Sequence, residues 1–384
     1  MAIDGRTVDE IFQQMRARLA RVVPEFELRH KAALVLEINR LKRARNAVIL
    51  GHNYMEPALY HTVPDHVGDS LELSRVAART DADVIVFCGV RFMAETAKIL
   101  SSDKTVLLPA EKAGCSLAAS ITAADVRALR ERYPGVPVVC YVNTYADVKA
   151  ESDACCTSSN AAAVVSSFDS DTVIFVPDEY LARNVARQTG KRIVIARGSG
   201  DSAERLARGG HNDAADRHHV GAGSRGDHGA ALEVAEIVGW AGRCEVHEKF
   251  TLADVRRIRR QFPEVIVLAH PECPPEVVEA ADYSGSTTAM ADYVRHSDAP
   301  QYLLLTECAM GDNIAAENPD KQMLRLCSVR CPHMNEITLE GVLRSLREDR
   351  QTIEVPEPIR RRARRAIERM LSIRGPRALT AGAR

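Results

Sequence analysis

Aromatic side chains are scarce in this 384-residue chain: they make up 5% of it, with a single tryptophan. Base stacking, which holds single-stranded nucleic acid on aromatic platforms, has little to build on. Charge excess is missing too. Against 52 acidic residues stand 51 basic ones, a formal net charge of −1, so nothing overall draws the chain to a phosphate backbone. No apolar run approaches the ~18 residues that span a bilayer. The opening MAIDGRTVDEIF lacks the charged-then-apolar order of a secretory signal. These absences predict a cytoplasmic protein with neither a nucleic-acid nor a membrane partner. In a reducing cytosol, the ten cysteines read as thiols and metal ligands rather than a disulfide framework.

What is there is organised around 265–287, VIVLAHPECPPEVVEAADYSGST. Val265, Ile266, Val267 and Leu268 are apolar and mostly β-branched, which predicts a short buried strand. Pro271, Pro274 and Pro275 stop the ladder, so His270 and Glu272 fall at the strand's carboxyl end. Ser284-Gly285-Ser286-Thr287 then reads as the start of a helix. Ligands of open α/β sheets gather at strand carboxyl ends and helix N-termini, so this order of residues suits an anionic small molecule.

The same order occurs twice more, at 47–70 and 136–158. Each copy has a strand and then a polar triplet: His52-Asn53-Tyr54, Tyr141-Val142-Asn143 and His270-Pro271-Glu272. Each then has an aspartate (Asp65, Asp153, Asp282) five residues before a hydroxyl (Ser70, Ser158, Thr287). A second strand follows at 84–90, 172–177 and 302–306, and a lysine (Lys104, Lys191, Lys321) introduces a third. Such self-similarity marks a repeated structural unit. The expected fold is α/β: three similar αβα three-layer domains with small parallel sheets around a pseudo-threefold axis.

The repeat also selects three cysteines. Cys115 lies 50 residues after Asp65 and Cys331 lies 49 after Asp282, whereas Cys244 lies 91 after Asp153. The interval from Asp153 to Asp282 exceeds that from Asp65 to Asp153 by 41 residues, and removing those restores 50. Three equivalent cysteines around an axis can converge on one point. Cys88, Cys140, Cys155, Cys156, Cys273 and Cys308 lie in or beside strands and read as buried apolar residues.

The resulting boundaries are N-terminal helices at 1–45, repeat one at 46–115, repeat two at 116–244 and repeat three at 245–331. Helices at 332–384 are expected to pack on repeat one. The extra residues of repeat two, at about 198–238, are rich in glycine, aspartate and arginine and read as a flexible excursion. It ends in Ala230–Ile237, expected to be a helical turn or two, and its His211, His218, His219 and His228 make a minor zinc candidate. The arginine-rich segment after Pro358 reads as a solvated helix.

Three thiols suit two kinds of centre. One is a Cys3His zinc site, with His247 or His333 as the fourth ligand. The other is an iron–sulfur cluster with one iron left open to substrate. Cys327-x3-Cys331-x2-Met334 resembles a radical-enzyme run but lacks its last cysteine.

At this point the motifs match a known family. Gly51-His-Asn-Tyr54, Gly68-Asp-Ser70, Phe92-Met-Ala-Glu95, Tyr141-Val-Asn143, Thr157-Ser158, Cys244-Glu-Val-His247, His270-Pro-Glu-Cys273, Gly285-Ser-Thr287, Cys115 and Cys331 occur in order from about 35 to 350. On these the chain resembles the quinolinate synthases of bacterial NAD biosynthesis. The resemblance implies a 4Fe-4S cluster on Cys115, Cys244 and Cys331 with one open iron acting as Lewis acid. It implies condensation of iminoaspartate with dihydroxyacetone phosphate to quinolinate, phosphate and water, and a functional link to an iminoaspartate-producing enzyme. By the same carry-over, His52, Ser70, Tyr141, Asn143, Ser158, His270, Glu272, Ser286 and Thr287 bind substrate, while Tyr54, His247 and Glu272 move protons. Phe92, Met93 and Glu95 are read as packing.

Two other readings are weighed beside this one. An aconitase-like iron–sulfur hydro-lyase would share the open iron without releasing phosphate. A non-catalytic zinc-binding protein would use the thiols only to hold its domains together.

Overall fold

The computed structural model describes residues 2–196, 235–326 and 328–373. In it thirteen strands form three sheets, parallel throughout. The first contains β1 (Ala47–His52), β2 (His66–Gly68), β3 (Val84–Cys88) and β4 (Thr105–Leu107), in the spatial order β2-β1-β3-β4. The second contains β5 (Val138–Tyr141), β6 (Ala154–Cys156), β7 (Thr172–Val176), β8 (Arg192–Ala196) and β9 (Glu236–Trp240), ordered β6-β5-β7-β9-β8. The third contains β10 (Ile266–Ala269), β11 (Tyr283–Ser284), β12 (Gln301–Leu305) and β13 (Gln322–Arg325), ordered β11-β10-β12-β13. Parallel neighbours need crossovers, and the helices that supply them cover the sheets, so the central strands are buried on both faces and read as runs of Val, Ile and Leu. This is the αβα architecture expected, made three times. Among the described residues no helix is long and apolar enough to cross a membrane.

The recurring aspartate has a structural cause. Asp65, Asp153 and Asp282 each precede the second strand of their sheet. Their carboxylates accept the backbone N–H of Ile49, Val138 and Val267 at 2.9, 2.7 and 2.7 Å. Each is also paired at 2.8 Å with a base on the helix that leads into the first strand of its sheet: Lys42, Arg130 and Arg259. The aspartate therefore clasps the helix to the edge of the sheet. The recurring lysines act similarly, Lys104, Lys191 and Lys321 donating to the carbonyls of Ala82, Ser170 and Ser297.

Repeat two departs from the expected layout. The place beside β7, which β4 takes beside β3 and β13 beside β12 in the other sheets, belongs to β9, and β8 lies outside it. The additional residues therefore begin before β8 rather than after it. Ala230–Ile237, expected as helical turns, ends in strand from Glu236, and Ile237 and Val238 are fully buried between β7 and β8. Residues 236–238 thus belong to the sheet rather than to the excursion. Most of that excursion, with His211, His218, His219 and His228, lies outside the described residues, as does Cys327.

Helices close the ring of domains. Seven residues after each of Cys115, Cys244 and Cys331 stands a threonine, Thr122, Thr251 and Thr338, whose hydroxyl caps the next helix. The last of these helices, Leu339–Glu348, packs on Glu25–Ala44 and on β3 of the first unit. The helix Glu357–Ser372 instead lies mainly on Ala146–Ala150 and β6 of the second unit, with a lesser contact to Arg91–Leu100. Its apolar residues Ala363, Ala366, Ile367 and Met370 are buried there, which overrides the solvated reading its arginines suggested.

Candidate active site

The strand pairings place the three polar triplets in one register. His52 is the last residue of β1 and Tyr141 the last of β5, while His270 directly follows β10. All three carboxyl ends face one cavity. Every site residue expected from the sequence lines it except Ser286.

Ser286 has another task. Its hydroxyl accepts the N–H of Ala289 at 3.3 Å and caps the helix Thr287–His296. In the first unit Asp69 does the same for Ser70–Ala77, accepting from Leu71 and Glu72. Ser70 and Thr287 are therefore the first helical residues rather than caps, so their hydroxyls are not spent on backbone N–H groups and line the cavity instead.

Glu272 gathers the seam between units. Its Oε1 accepts from the Tyr141 hydroxyl and, at 3.4 Å, from Asn143 Nδ2, while Oε2 lies 2.8 Å from His247 Nδ1. A carboxylate only accepts, so the proton between Glu272 and His247 belongs to Nδ1. His247 Nε2 then faces Thr306 Oγ1 at 3.0 Å and Tyr54 Oη at 3.3 Å, and those two oxygens are 2.5 Å apart. The result is a chain running Tyr54, Thr306, His247, Glu272 across two of the three units. Burial pushes the Glu272 carboxyl up, but His247, His270 and Tyr141 together bring it down to about 2. Burial pushes the Tyr54 hydroxyl far up, so it keeps its proton.

The two remaining imidazoles share a geometry. His52 Nδ1 accepts the N–H of Tyr54 at 3.2 Å, and His270 Nδ1 accepts that of Glu272 at 3.3 Å. Their protons therefore sit on Nε2. Burial depresses His52 to about 4 and His270 to about 3, the latter helped by His247 and opposed by Glu272. Both are neutral N–H donors on the cavity wall.

Cys115, Cys244 and Cys331 are half-buried and line the same cavity, while Cys88, Cys140, Cys155, Cys156, Cys273 and Cys308 are buried away from it. Each of the three begins a tight turn: Ser116–Ala119, His247–Lys249 and Met334–Glu336 lie just beyond them. The backbone N–H groups two and three residues on point back at each sulfur: Leu117 and Ala118, Val246 and His247, His333 and Met334. Burial still pushes Cys115 up to about 12 and Cys331 to about 11, and raises Cys244 as well. Three thiols that ionise only with a cation beside them, each cradled by N–H donors that favour the thiolate, suit a thiophilic metal centre. Cys88 has no such cradle, and burial alone raises its thiol. Beside them, Cys244, His247 and Glu272 also place ligand atoms within 4.8 Å of one another. At the rim Glu245 Oε1 accepts from Ser116 Oγ at 2.8 Å and pairs with His333 Nε2 at 3.2 Å, tying together the three cysteine loops.

Thr306 and Glu245 were missed in the sequence. Glu245 follows a selected cysteine and was within reach of the spacing argument. Thr306 closes β12 at a position where the other repeats have Gly89 and Pro177, so the repeat carried no signal for it.

Comparison with known proteins adds to this geometry. Residues 36–372 match the family described as quinolinate synthetase A protein. Quinolinate synthase 2 of Mesorhizobium japonicum is 49% identical over 93% of this chain and 96% of its own. The quinolinate synthase of Agrobacterium fabrum is 49% identical over 93% of this chain and 90% of its own, and that of Caulobacter vibrioides 47% over 92% and 85%.

Proposed function

This chain belongs to the quinolinate synthetase A family and makes quinolinate for NAD biosynthesis, and we propose that it does so in the cavity where its three units meet. The substrates of this reading are iminoaspartate and dihydroxyacetone phosphate, the first delivered by an iminoaspartate-producing enzyme, and phosphate and water leave with the product. One observation carries the reading: three equivalent thiols, each in an N–H cradle, open on a cavity that also presents neutral donors and a hydroxyl–imidazole–carboxylate chain.

Cys115, Cys244 and Cys331 are the residues that would hold a 4Fe-4S cluster. Bound there on three thiolates, it supplies a Lewis acid at its remaining iron. The neighbouring imidazoles favour three ligands over a Cys3His zinc site. His247 Nδ1 is committed to Glu272 and Nε2 to Thr306, while His333 gives Nε2 to Glu245 and has only Nδ1 to offer. The same commitments speak against a metal on Cys244, His247 and Glu272.

The remaining chemistry belongs to side chains. Both substrates are anionic, and a buried wall of neutral donors binds them without fixing a compensating charge. His52 Nε2–H, His270 Nε2–H and the hydroxyls of Ser70, Ser158 and Thr287 serve here, those of Ser70 and Thr287 at helix starts where the peptide dipoles add attraction. Forming the aromatic ring requires protons to leave carbon and water to leave the chain. Tyr54 Oη is the group that meets these protons. Thr306 Oγ1 passes them to His247 Nε2, and Glu272 Oε2 balances the imidazolium that results. Glu272 thus steadies the base rather than acting as the base. Its low proton affinity and three donors suit that role.

The test is anaerobic purification followed by iron, sulfide and product analysis. The reading expects a brown protein that forms quinolinate and phosphate in equal amounts. A colourless zinc protein, or product without phosphate, would overturn it in favour of the structural-zinc or hydro-lyase alternative.

A further inference from the structure

We propose that Asn53, which does not line the cavity, is a positioning residue that sets the direction of the Thr287 hydroxyl and so makes that side chain a donor to an anionic oxygen of substrate. The proposal rests on the reading above of Thr287 as a substrate contact. Asn53 is buried at the seam between the first and third units, and its Nδ2 donates to Thr287 Oγ1 at 2.9 Å and to Thr288 Oγ1 at 3.2 Å.

The neighbours favour this orientation of the amide. Its Oδ1 accepts from the Tyr60 hydroxyl at 3.4 Å. Thr288 Oγ1 accepts a second proton, from the backbone N–H of Asp69 at 3.1 Å. In a flipped amide the Tyr60 hydroxyl would lose its acceptor and have to turn round to accept from the NH2. The backbone of Asn53 is held as well. Its N–H reaches the carbonyl of Gly68 at 3.1 Å, and its carbonyl accepts from Asn313 Nδ2 at 3.2 Å.

The consequence falls on Thr287. An Asn53 proton already occupies its oxygen, so the threonine's own hydrogen is directed away from Asn53, and among the described residues no acceptor takes it. Thr287 lines the cavity, is nine-tenths buried and leaves its helix N–H groups to the Ser286 cap. What it offers is an O–H donor, which fits a carboxylate or phosphate oxygen and rejects a group that can only donate. Both substrates carry such oxygens, and the experiment separates them.

Asn53→Asp keeps the shape and the acceptor for Tyr60 but replaces the NH2 with an oxygen that takes the Thr287 proton. KM for dihydroxyacetone phosphate and KM for iminoaspartate, the imine formed in situ from oxaloacetate and ammonium, are measured with kcat and iron content. Thr287→Val is measured beside it. The expected result is that both variants raise the same one of the two KM values by about tenfold or more, the loss of a hydrogen bond to a charged group. kcat per cluster stays within about threefold, well below the loss expected for a general acid or base. The double variant adds little to either single one. If Asn53→Asp does not fold, Asn53→Ala removes the donor without adding an acceptor and should shift the same KM. A raised KM in Thr287→Val with none in either Asn53 variant would overturn this inference and leave the site reading standing. Unchanged KM values in Thr287→Val would overturn the substrate role of Thr287 and the inference with it.

Discussion

Replacing Glu272 with glutamine reverses one hydrogen bond without altering shape, and the structure says which bond must suffer. The carboxylate accepts at both ends: from Tyr141 and Asn143 at Oε1 and from His247 at Oε2. An amide can accept at only one. With its oxygen toward Tyr141 and Asn143, its NH2 meets His247 Nδ1, and the imidazole satisfies it only by moving its proton to Nε2. That proton then points at Thr306 and Tyr54, so the chain that should receive a proton from Tyr54 runs backward. The opposite rotamer leaves two buried donors facing an NH2, at ~1–3 kcal/mol for each unmade bond. Either way, His247 loses both its tautomer and the charge that balances its protonated form. We therefore expect quinolinate formed per bound cluster to fall by about 10²–10⁴, with iron content unchanged. The assay is quinolinate formation under anaerobic conditions normalised to iron and sulfide. Turnover above half the wild-type rate would refute the orientation argument, because a reversed tautomer cannot leave proton transfer intact. Loss of iron with unchanged turnover per cluster would refute it differently, making Glu272 a support for the thiols.

Three further expectations follow from other parts of the molecule. Serine in place of Cys115, Cys244 or Cys331 should abolish iron binding, while Cys88→Ser should keep iron near the wild-type ratio; iron and sulfide analysis decides. Gly242→Ala would set a Cβ 2.5 Å from the Pro177 carbonyl and 2.7 Å from Ser120 Oγ, two residues before Cys244. Such overpacking costs ~1–3 kcal/mol, so iron should be lost to a chelator faster than from wild type; equal rates would count against the crowding. Burial and then Arg18 depress His61 to about 4, from 6.5 when unfolded, so the unfolded chain takes up a proton that the folded one resists. Its stability is full above pH 6.5 and falls as pH drops toward 4, by roughly 3 kcal/mol. Urea unfolding at both ends of that range should show a smaller decline in His61→Phe, and an equal one would argue against the assignment.

The sequence made the sheets legible because their strands are short β-branched runs stopped by polar or proline residues, and the triplets legible because they recur at one register. The aspartates were equally visible, but a carboxylate beside a site and one that clasps a helix to a strand look alike until Ile49, Val138 and Val267 are seen donating to them. A hydroxyl at a helix start, as at 70 and 287, ordinarily serves as a cap. Only the backbone shows that Asp69 and Ser286 cap those helices and leave the next residue free. Thr306 was illegible, since one threonine at a strand end acquires meaning only when Tyr54, about 250 residues earlier in the chain, arrives beside it. The order of β8 and β9 was hidden for a similar reason. Either segment suits a buried strand, and which one pairs with β7 is decided in three dimensions.

Three walls built on one plan raise a problem of degeneracy. Had His52, Tyr141 and His270 been one residue type, and Tyr54, Asn143 and Glu272 another, a bound molecule could rotate among three poses of equal energy. Only one in three would then present the right atoms to each other, a statistical handicap of ~0.6 kcal/mol before any chemistry begins. The chain keeps the positions and varies the occupants: imidazole, phenol and imidazole in one tier, and phenol, amide and carboxylate in the next. Duplicated backbone supplies the enclosure, and divergence of side chains supplies a unique orientation within it.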